Sequence, residues 1–281
     1  MRTPTICLLL FCFNTYAAET PFKQDPEQLQ QALQVLNNYR HNAGLKPVTL
    51  NTGLSDACFK HSRYVAMNKE NPIAQSMSPH YENDTLPFAT PQGKEAGLAS
   101  CMAYTEPVNS ITEFMSTYYH RMPLIDPNTT EVGIGYYTHD GYTVCCVDMR
   151  SKWQWNNDTL SMVVYPPVNG TNVPLYFQDE RPNPIPDTID NAGFPITVQI
   201  FGRQQITQVK AVLKDDKGKV LNCVLSTPEE PLTSFPQYND VCIIPTRPLT
   251  AGATYTVYYS CLLNGKAFRR QWNFKTISEN G

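Results

Sequence analysis

The chain has 281 residues, a net charge of -3 at pH 7 and a sequence pI of about 6.0. This balance offers no concentrated basic surface for phosphate groups, so nucleic acid is not an expected partner. No apolar run approaches the ~20 residues that span a bilayer, and the sequence therefore predicts no membrane span.

The first residues follow the order of a secretory signal peptide. Arg2 precedes an apolar run from Ile6 to Phe13, and small residues follow at Ala17 and Ala18. A basic start, a short apolar stretch and a small-residue cleavage site are the parts that such a signal needs. We therefore predict a signal peptide over residues 1–18 and a secreted or periplasmic mature protein.

Helices come first in the mature chain. Asp25-Pro26 is a helix start, with Asp as N-cap and Pro in the first turn, and apolar residues recur at helical spacing up to Tyr39. This element is predicted to end before Asn42-Ala43-Gly44. A second helix is predicted from about Leu54 to Asn68, and a third from about Ile111 to His120.

Two strands follow these helices, over Val132 to Thr138 and Tyr142 to Asp148, with a turn across His139-Asp140-Gly141 between them. Strands that come after helices indicate a mixed α+β unit. We assign it to residues 19–158, a length that can enclose one hydrophobic core.

The second half, residues 159–281, favours strands alone. Its start is rich in proline from Pro174 to Pro195, and proline at that density excludes helix interiors and central strands. Short strands with turn signals such as Asn264-Gly265 predict an immunoglobulin-like β-sandwich, and Leu249 to Tyr255 resembles a tyrosine corner. The predicted strands are Pro195 to Phe201, Ile206 to Lys214, Lys219 to Leu225, Val241 to Ile244, Thr254 to Leu262 and Lys266 to Thr276.

Seven cysteines follow the predicted signal. Disulfides are expected in an exported protein, and the odd number leaves one thiol over or one bond between chains. Cys58 with Cys101 is the expected pair in the first half. Cys145 and Cys146 are adjacent in a strand and therefore face opposite sides. No CxxC or Cys/His finger spacing occurs, which argues against a structural zinc site.

Three segments, in this order, resemble one family. Residues 36–45 (LNNYRHNAGL) are similar to the end of the first helix in bacterial members, residues 54–62 (LSDACFKHS) to the second helix, and residues 109–138 to the distal half. Over roughly Leu29 to Asp148 the chain resembles the CAP superfamily of cysteine-rich secretory, antigen 5 and pathogenesis-related 1 proteins, in its bacterial form. The resemblance implies an α-β-α sandwich with a central cleft.

In that family two histidines and two acidic residues line the cleft. The resemblance transfers these roles to His80, Glu95, Glu113 and His120, and makes His80 and His120 the candidate metal ligands. Around Glu95 the chain departs from the family pattern, because Lys94 and Ala96 stand where glycine and asparagine are usual. The eukaryotic Gly-His-Tyr-Thr-Gln signature is absent. Further candidate ligand contacts are Glu82 and Tyr119.

Simpler interpretations of these residues remain open. Glu113 and His120 are seven positions apart, about two helical turns, so one helix would place both on one face. However, Ser110 with Glu113 also has the form of a capping box, and His120 would suit the negative end of a helix dipole. His61, in the apolar stripe of the second helix, is predicted to be a core histidine.

Two hypotheses of function follow. In the first, the chain is a secreted binding protein, not an enzyme, whose two imidazoles hold a ligand or a divalent ion such as zinc. Its β-sandwich would attach to an unidentified protein or glycan surface. In the second, the same cleft is the site of an extracellular, metal-assisted, peptidase-like hydrolase, although the chain has no HExxH and no G-x-S-x-G. A structural adaptor with a vestigial cleft is a third, less favoured hypothesis.

Overall fold

The computed structural model describes residues 23–154 and 160–278. The predicted signal peptide lies outside these residues, as does the predicted boundary at residues 158 and 159. Among the helices of these residues, none combines the length and the hydrophobicity that a bilayer span requires.

The first half places helices on both faces of a four-stranded sheet with the strand order β1-β3-β4-β2. Helices α1 and α5 pack on one face, and α2 and α4 pack on the other. The helices are α1 Pro26–Asn42, α2 Thr52–Met67, α3 Pro72–Gln75, α4 Pro91–Ala99, α5 Pro107–Met115 and α6 Arg121–Leu124. The strands are β1 Thr49–Leu50, β2 Ser100–Ala103, β3 Glu131–His139 and β4 Tyr142–Asp148.

The start of α1 is as predicted, since the Asp25 side chain accepts a hydrogen bond from Glu27 N at 2.9 Å. The predicted third helix is wrong at both ends, because α5 begins at Pro107 and ends at Met115. Ser110 lies inside α5 and its hydroxyl donates to Glu106 O, so it does not form a capping box.

Two glycines of β3 allow α2 to lie directly on the sheet. An ideal Cβ on Gly135 would stand 2.2 Å from Phe59 N and 2.7 Å from Cys58 Cβ. A Cβ on Gly133 would stand 2.6 Å from Leu54 Cβ. The Gly-x-Gly spacing that marks this strand in the sequence is therefore a packing requirement of the first half.

We expect Gly135→Ala to lower the free energy of unfolding by about 2 kcal/mol, because the backbone of α2 has to move to admit the methyl group. Urea denaturation of the mature chain measures this. Gly53→Ala is the control, since its Cβ would come no closer than 3.3 Å to the Asn51 side chain. Equal stability of both variants would contradict the packing argument.

The second half is built from two sheets, with the orders β10-β11-β7-β5 and β6-β13-β12-β8-β9. The predicted strand Lys219 to Leu225 is two strands, and the first two strands of this half were not predicted from the sequence. The Tyr255 hydroxyl accepts a hydrogen bond from Thr250 N at 2.8 Å, so it fastens the turn before its own strand. The strands are β5 Ser161–Tyr165, β6 Gly170–Val173, β7 Ile196–Phe201, β8 Ile206–Asp215, β9 Val220–Leu221, β10 Cys223–Ser226, β11 Asp240–Pro245, β12 Thr254–Leu263 and β13 Lys266–Thr276.

The two halves share one continuous hydrophobic core. Leu36 and Ile111 of the first half belong to the same buried cluster as Val163, Phe194 and Val257 of the second. The second half is therefore packed against the helices and can contribute residues to a site in the first half.

None of the cysteines within the described ranges forms a disulfide. The expected Cys58–Cys101 pair is wrong because the two side chains lie on opposite faces of the sheet. Cys58 packs against Cys146 beneath α2, whereas Cys101 belongs to the core on the α1 side. Cys145 and Cys146 do face opposite sides, as the strand geometry predicts.

Candidate functional site

A cleft of about 1080 Å³ lies where the two halves meet. His80, Glu113 and His120 all line it, and so does Tyr119. Glu95 does not line the cleft; its side chain is exposed on α4. The cleft thus brings together three of the four residues that the resemblance predicts. Glu95, around which the sequence departs from the family pattern, lies outside it.

His120 reaches the cleft from a turn and not from a helix. It follows the end of α5 and precedes α6, and its ring stacks on Phe114 with 5.3 Å between ring centroids. Its Nδ1 is 3.0 Å from Glu180 Oε2. With Nδ1 as the donor to this carboxylate, Nε2 is the nitrogen that has the free lone pair in the neutral imidazole.

His80 is fixed in the same tautomer by a different partner. Its Nδ1 is 2.8 Å from Gly97 O, and a carbonyl oxygen can only accept, so Nδ1 donates. Burial lowers the pKa of His80 below its ordinary value; the Gly97 bond opposes this, and the charges of His61 and His120 add to it. The neutral imidazole, with Nε2 unprotonated, is the favoured form.

Glu113 lies on the exposed side of α5 at the wall of the cleft. Its partial removal from water raises the pKa of the carboxyl above its ordinary value. It is the carboxylate of the first half that a bound cation or ligand in the cleft can reach.

Glu82 was predicted to contact a ligand, but its carboxylate forms hydrogen bonds inside the protein. It is buried, its Oε1 is 2.9 Å from His61 Nδ1, and its Oε2 accepts from Thr90 N at 2.8 Å. Burial lowers the pKa of His61, but the hydrogen bond to Glu82 and nearby charges outweigh it, so that the pKa is raised. His61 is the core histidine that its helical stripe predicts.

Glu180 is a residue of the cleft that the sequence did not reveal. It is 4 % exposed, and it lies in the proline-rich stretch of the second half. Its carboxylate accepts hydrogen bonds from the backbone N–H groups of Tyr118 at 2.6 Å, Tyr119 at 2.9 Å and His120 at 3.3 Å, besides the His120 ring. One side chain of the second half therefore holds the histidine turn of the first.

The second half also forms one wall of the cleft. Asp179, Arg181, Pro182 and Phe235 are among its lining residues. The rings of Tyr119 and Phe235 are tilted by 52° with 4.8 Å between their centroids, and the Tyr119 hydroxyl lies 2.6 Å from Thr233 Oγ1. No local sequence pattern marks these residues, since they become neighbours only through tertiary packing.

His80 and His120 are the two imidazoles that line the cleft. In their neutral forms, His80 and His120 would both present an unprotonated Nε2, because Nδ1 of each is bonded to a protein acceptor, which is the way histidine ligands are usually oriented. Over residues 23–154 and 160–278, no group of three or more His, Cys, Asp or Glu side chains is placed to hold a metal ion. Two protein ligands are fewer than the three that catalytic zinc sites use.

Comparison with known proteins finds a family model that matches within the first half. Residues 33–149 match the model of the CAP family, described as the Cysteine-rich secretory protein family. A crystal structure of an extracellular protein containing a SCP domain from Bacillus anthracis str. Ames aligns with 16% sequence identity and a TM-score of 0.32. The alignment covers 45% of this chain and 44% of that chain, which is less than half of either protein. No curated protein matches the sequence significantly.

Proposed function

We propose that this chain, whose residues 33–149 form a CAP domain, is an exported binding protein that holds a divalent cation or a small ligand in its cleft. The observation that carries the proposal is that His80 and His120 form the same kind of hydrogen bond. Both rings line one cavity, and both have Nδ1 committed to a protein acceptor. Their Nε2 atoms are the groups left to bind.

Binding suits this arrangement better than turnover does. A metal-assisted hydrolase needs three firm ligands, an open position and a general base. The one buried carboxylate beside His120 is Glu180, and its oxygens already accept four hydrogen bonds. A cation in the cleft would be balanced in part by Glu113 and would add positive charge for an anionic or polar ligand.

The second half has two roles in this proposal. It completes the cleft through Glu180 and Phe235, and its two sheets, an immunoglobulin-like sandwich, attach the protein to a surface. The bond from Thr250 N to the Tyr255 hydroxyl supports the sandwich assignment, because tyrosine corners fasten such turns. Export is proposed from the signal-like order of residues 1–18.

Zinc titration of the mature chain tests the cleft. We expect His80→Ala and His120→Ala each to abolish measurable binding in calorimetry, because each removes one of only two imidazoles. His41→Ala is the matched control, since that histidine is exposed on α1 away from the cleft, and it should bind as the parent does.

A peptide-library digestion under the same conditions separates the two functions. No cleavage, together with zinc binding that depends on both histidines, supports the binding protein. Cleavage that disappears in His120→Ala would instead establish a hydrolase and overturn the proposal.

A further inference from the structure

The charges of this chain are divided unevenly along it. Residues 200–281 contain ten Lys and Arg against six Asp and Glu, whereas residues 1–199 contain 12 against 19. The net charge of -3 thus conceals a basic C-terminal region.

Strand register brings four of these cations to one face of the five-stranded sheet. Residues directly opposite each other in antiparallel strands point to the same side. Lys210 and Arg269 both pair with Ser260, and Lys214 pairs with Thr256, so these side chains share a face with β12 between them. Lys275 extends the face opposite Thr254.

This face is the solvent side of the sheet. Along β12 the alternate residues Tyr255, Val257 and Tyr259 are buried in the core, at 2 %, 0 % and 2 % exposure. Thr254, Thr256, Tyr258 and Ser260 therefore point outward, as the period of two requires. We call the outward surface of β8, β12 and β13 the basic face; its cations are Lys210, Lys214, Arg269 and Lys275.

The cations flank a neutral strip. Lys210 and Lys214 lie on β8 and Arg269 and Lys275 on β13, two strand spacings apart, or about 10 Å. None of the four forms an ion pair within the described ranges. No Asp or Glu occupies an outward position on the paired segments of these three strands; Asp215, the last residue of β8, pairs with Tyr255 and so belongs to the inward row, and Asp216 follows it in the turn. Outside these strands, Glu229 Oε2 accepts a hydrogen bond from Gln208 N of β8.

The neutral strip has the groups that sugars use. It presents the hydroxyls of Thr254, Thr256 and Ser260 and the half-exposed ring of Tyr258, over which Lys214 Nζ lies 5.2 Å from the ring centroid. Tyr258 is the one aromatic residue of the strip, whereas single-stranded nucleic acid is usually held by several stacked aromatics. The exposed aliphatic neighbours, Val212 and Val220, are small, and large apolar residues that insert into a bilayer are missing from these outward positions.

From the two rows of cations and the neutral strip between them, we infer that the basic face binds a linear acidic polysaccharide. The polysaccharide would lie along β12 with its carboxylates towards the two rows of cations. The inference names the surface to which the proposed function attaches the protein. The basic face does not include the cleft, so binding at the face and binding in the cleft can be tested separately.

Binding of the mature full-length chain to immobilised polygalacturonate tests this inference. We expect binding that weakens as salt is raised, since the contacts are between exposed charges. The double variant Lys210→Gln/Arg269→Gln should bind about tenfold more weakly, because two exposed charge contacts are lost. Lys46→Gln/Lys152→Gln, which removes two exposed cations of the first half, should bind as the parent does.

A second variant distinguishes a sugar from any polyanion. Tyr258→Ser should weaken binding to polygalacturonate several-fold and leave binding to inorganic polyphosphate unchanged. Urea denaturation of each variant checks that the fold is intact. Equal binding by the two double variants, or binding to duplex DNA or anionic vesicles with none to polygalacturonate, would overturn the inference.

Discussion

Replacing Arg121 by alanine is expected to lower the free energy of unfolding by about 4 kcal/mol, the largest effect of a single change that we anticipate. Arg121 is fully buried at the junction of the two halves. Its Nε donates to Met115 O at 2.8 Å and its Nη1 to Pro195 O at 2.7 Å. Both carbonyls would lose their buried donor.

The Arg121 guanidinium also lies over two neighbouring aromatic rings of the second half. Its Cζ is 4.7 Å from the ring centroids of both Tyr165 and Phe194. Burial lowers the pKa of Arg121 to about 10, so the side chain remains charged at neutral pH and its cation–π contacts persist. Alanine would remove this packing as well as the hydrogen bonds.

Urea denaturation of the mature chain, followed by fluorescence, measures the change. Arg121→Lys keeps the charge but loses the planar fork, and we expect it to recover less than half of the loss. Arg247→Ala, at an exposed position, is the control and should stay within about 0.5 kcal/mol of the parent. Arg121→Ala with parental stability would show that the junction does not depend on this residue.

Replacing Glu180 by alanine is expected to affect both stability and binding. Backbone donors of Tyr118, Tyr119 and His120 would lose their acceptor, which we expect to cost about 3 kcal/mol of unfolding free energy. The His120 ring would also lose the bond that holds its tautomer, and loss of such an outer partner typically costs about 10–100-fold in metal affinity.

Asp187→Ala is the matched control, because Asp187 is an exposed carboxylate in the same proline-rich segment and is not among the residues that line the cleft. Glu180→Gln separates the two effects, since it retains the size and one acceptor oxygen but not the charge. We expect it to recover part of the stability and little of the zinc affinity. Unchanged zinc binding in Glu180→Ala would contradict the role of the second half in the cleft.

The end of α5 shows why the site could not be fully predicted from the sequence. The spacing of Glu113 and His120 predicts one helix face, yet α5 ends at Met115. The N–H groups of Tyr118 and Tyr119, which a longer helix would bond internally, donate to Glu180 some 60 residues away. A buried carboxylate competes successfully with the helix, and its partner segment cannot be identified from local spacing.

The sequence by itself determined the elements whose causes are local. Asp25 and Pro26 start α1, and Asn264-Gly265 marks the turn between β12 and β13. Tertiary structure alone decided which polar side chains meet, because His80, His120 and Glu180 belong to three segments whose order along the chain carries no distance information. Glu180 lines the cleft and Glu95 does not, although both are glutamates. Packing of the whole chain decides which side chains line a cleft, and local sequence does not contain that information.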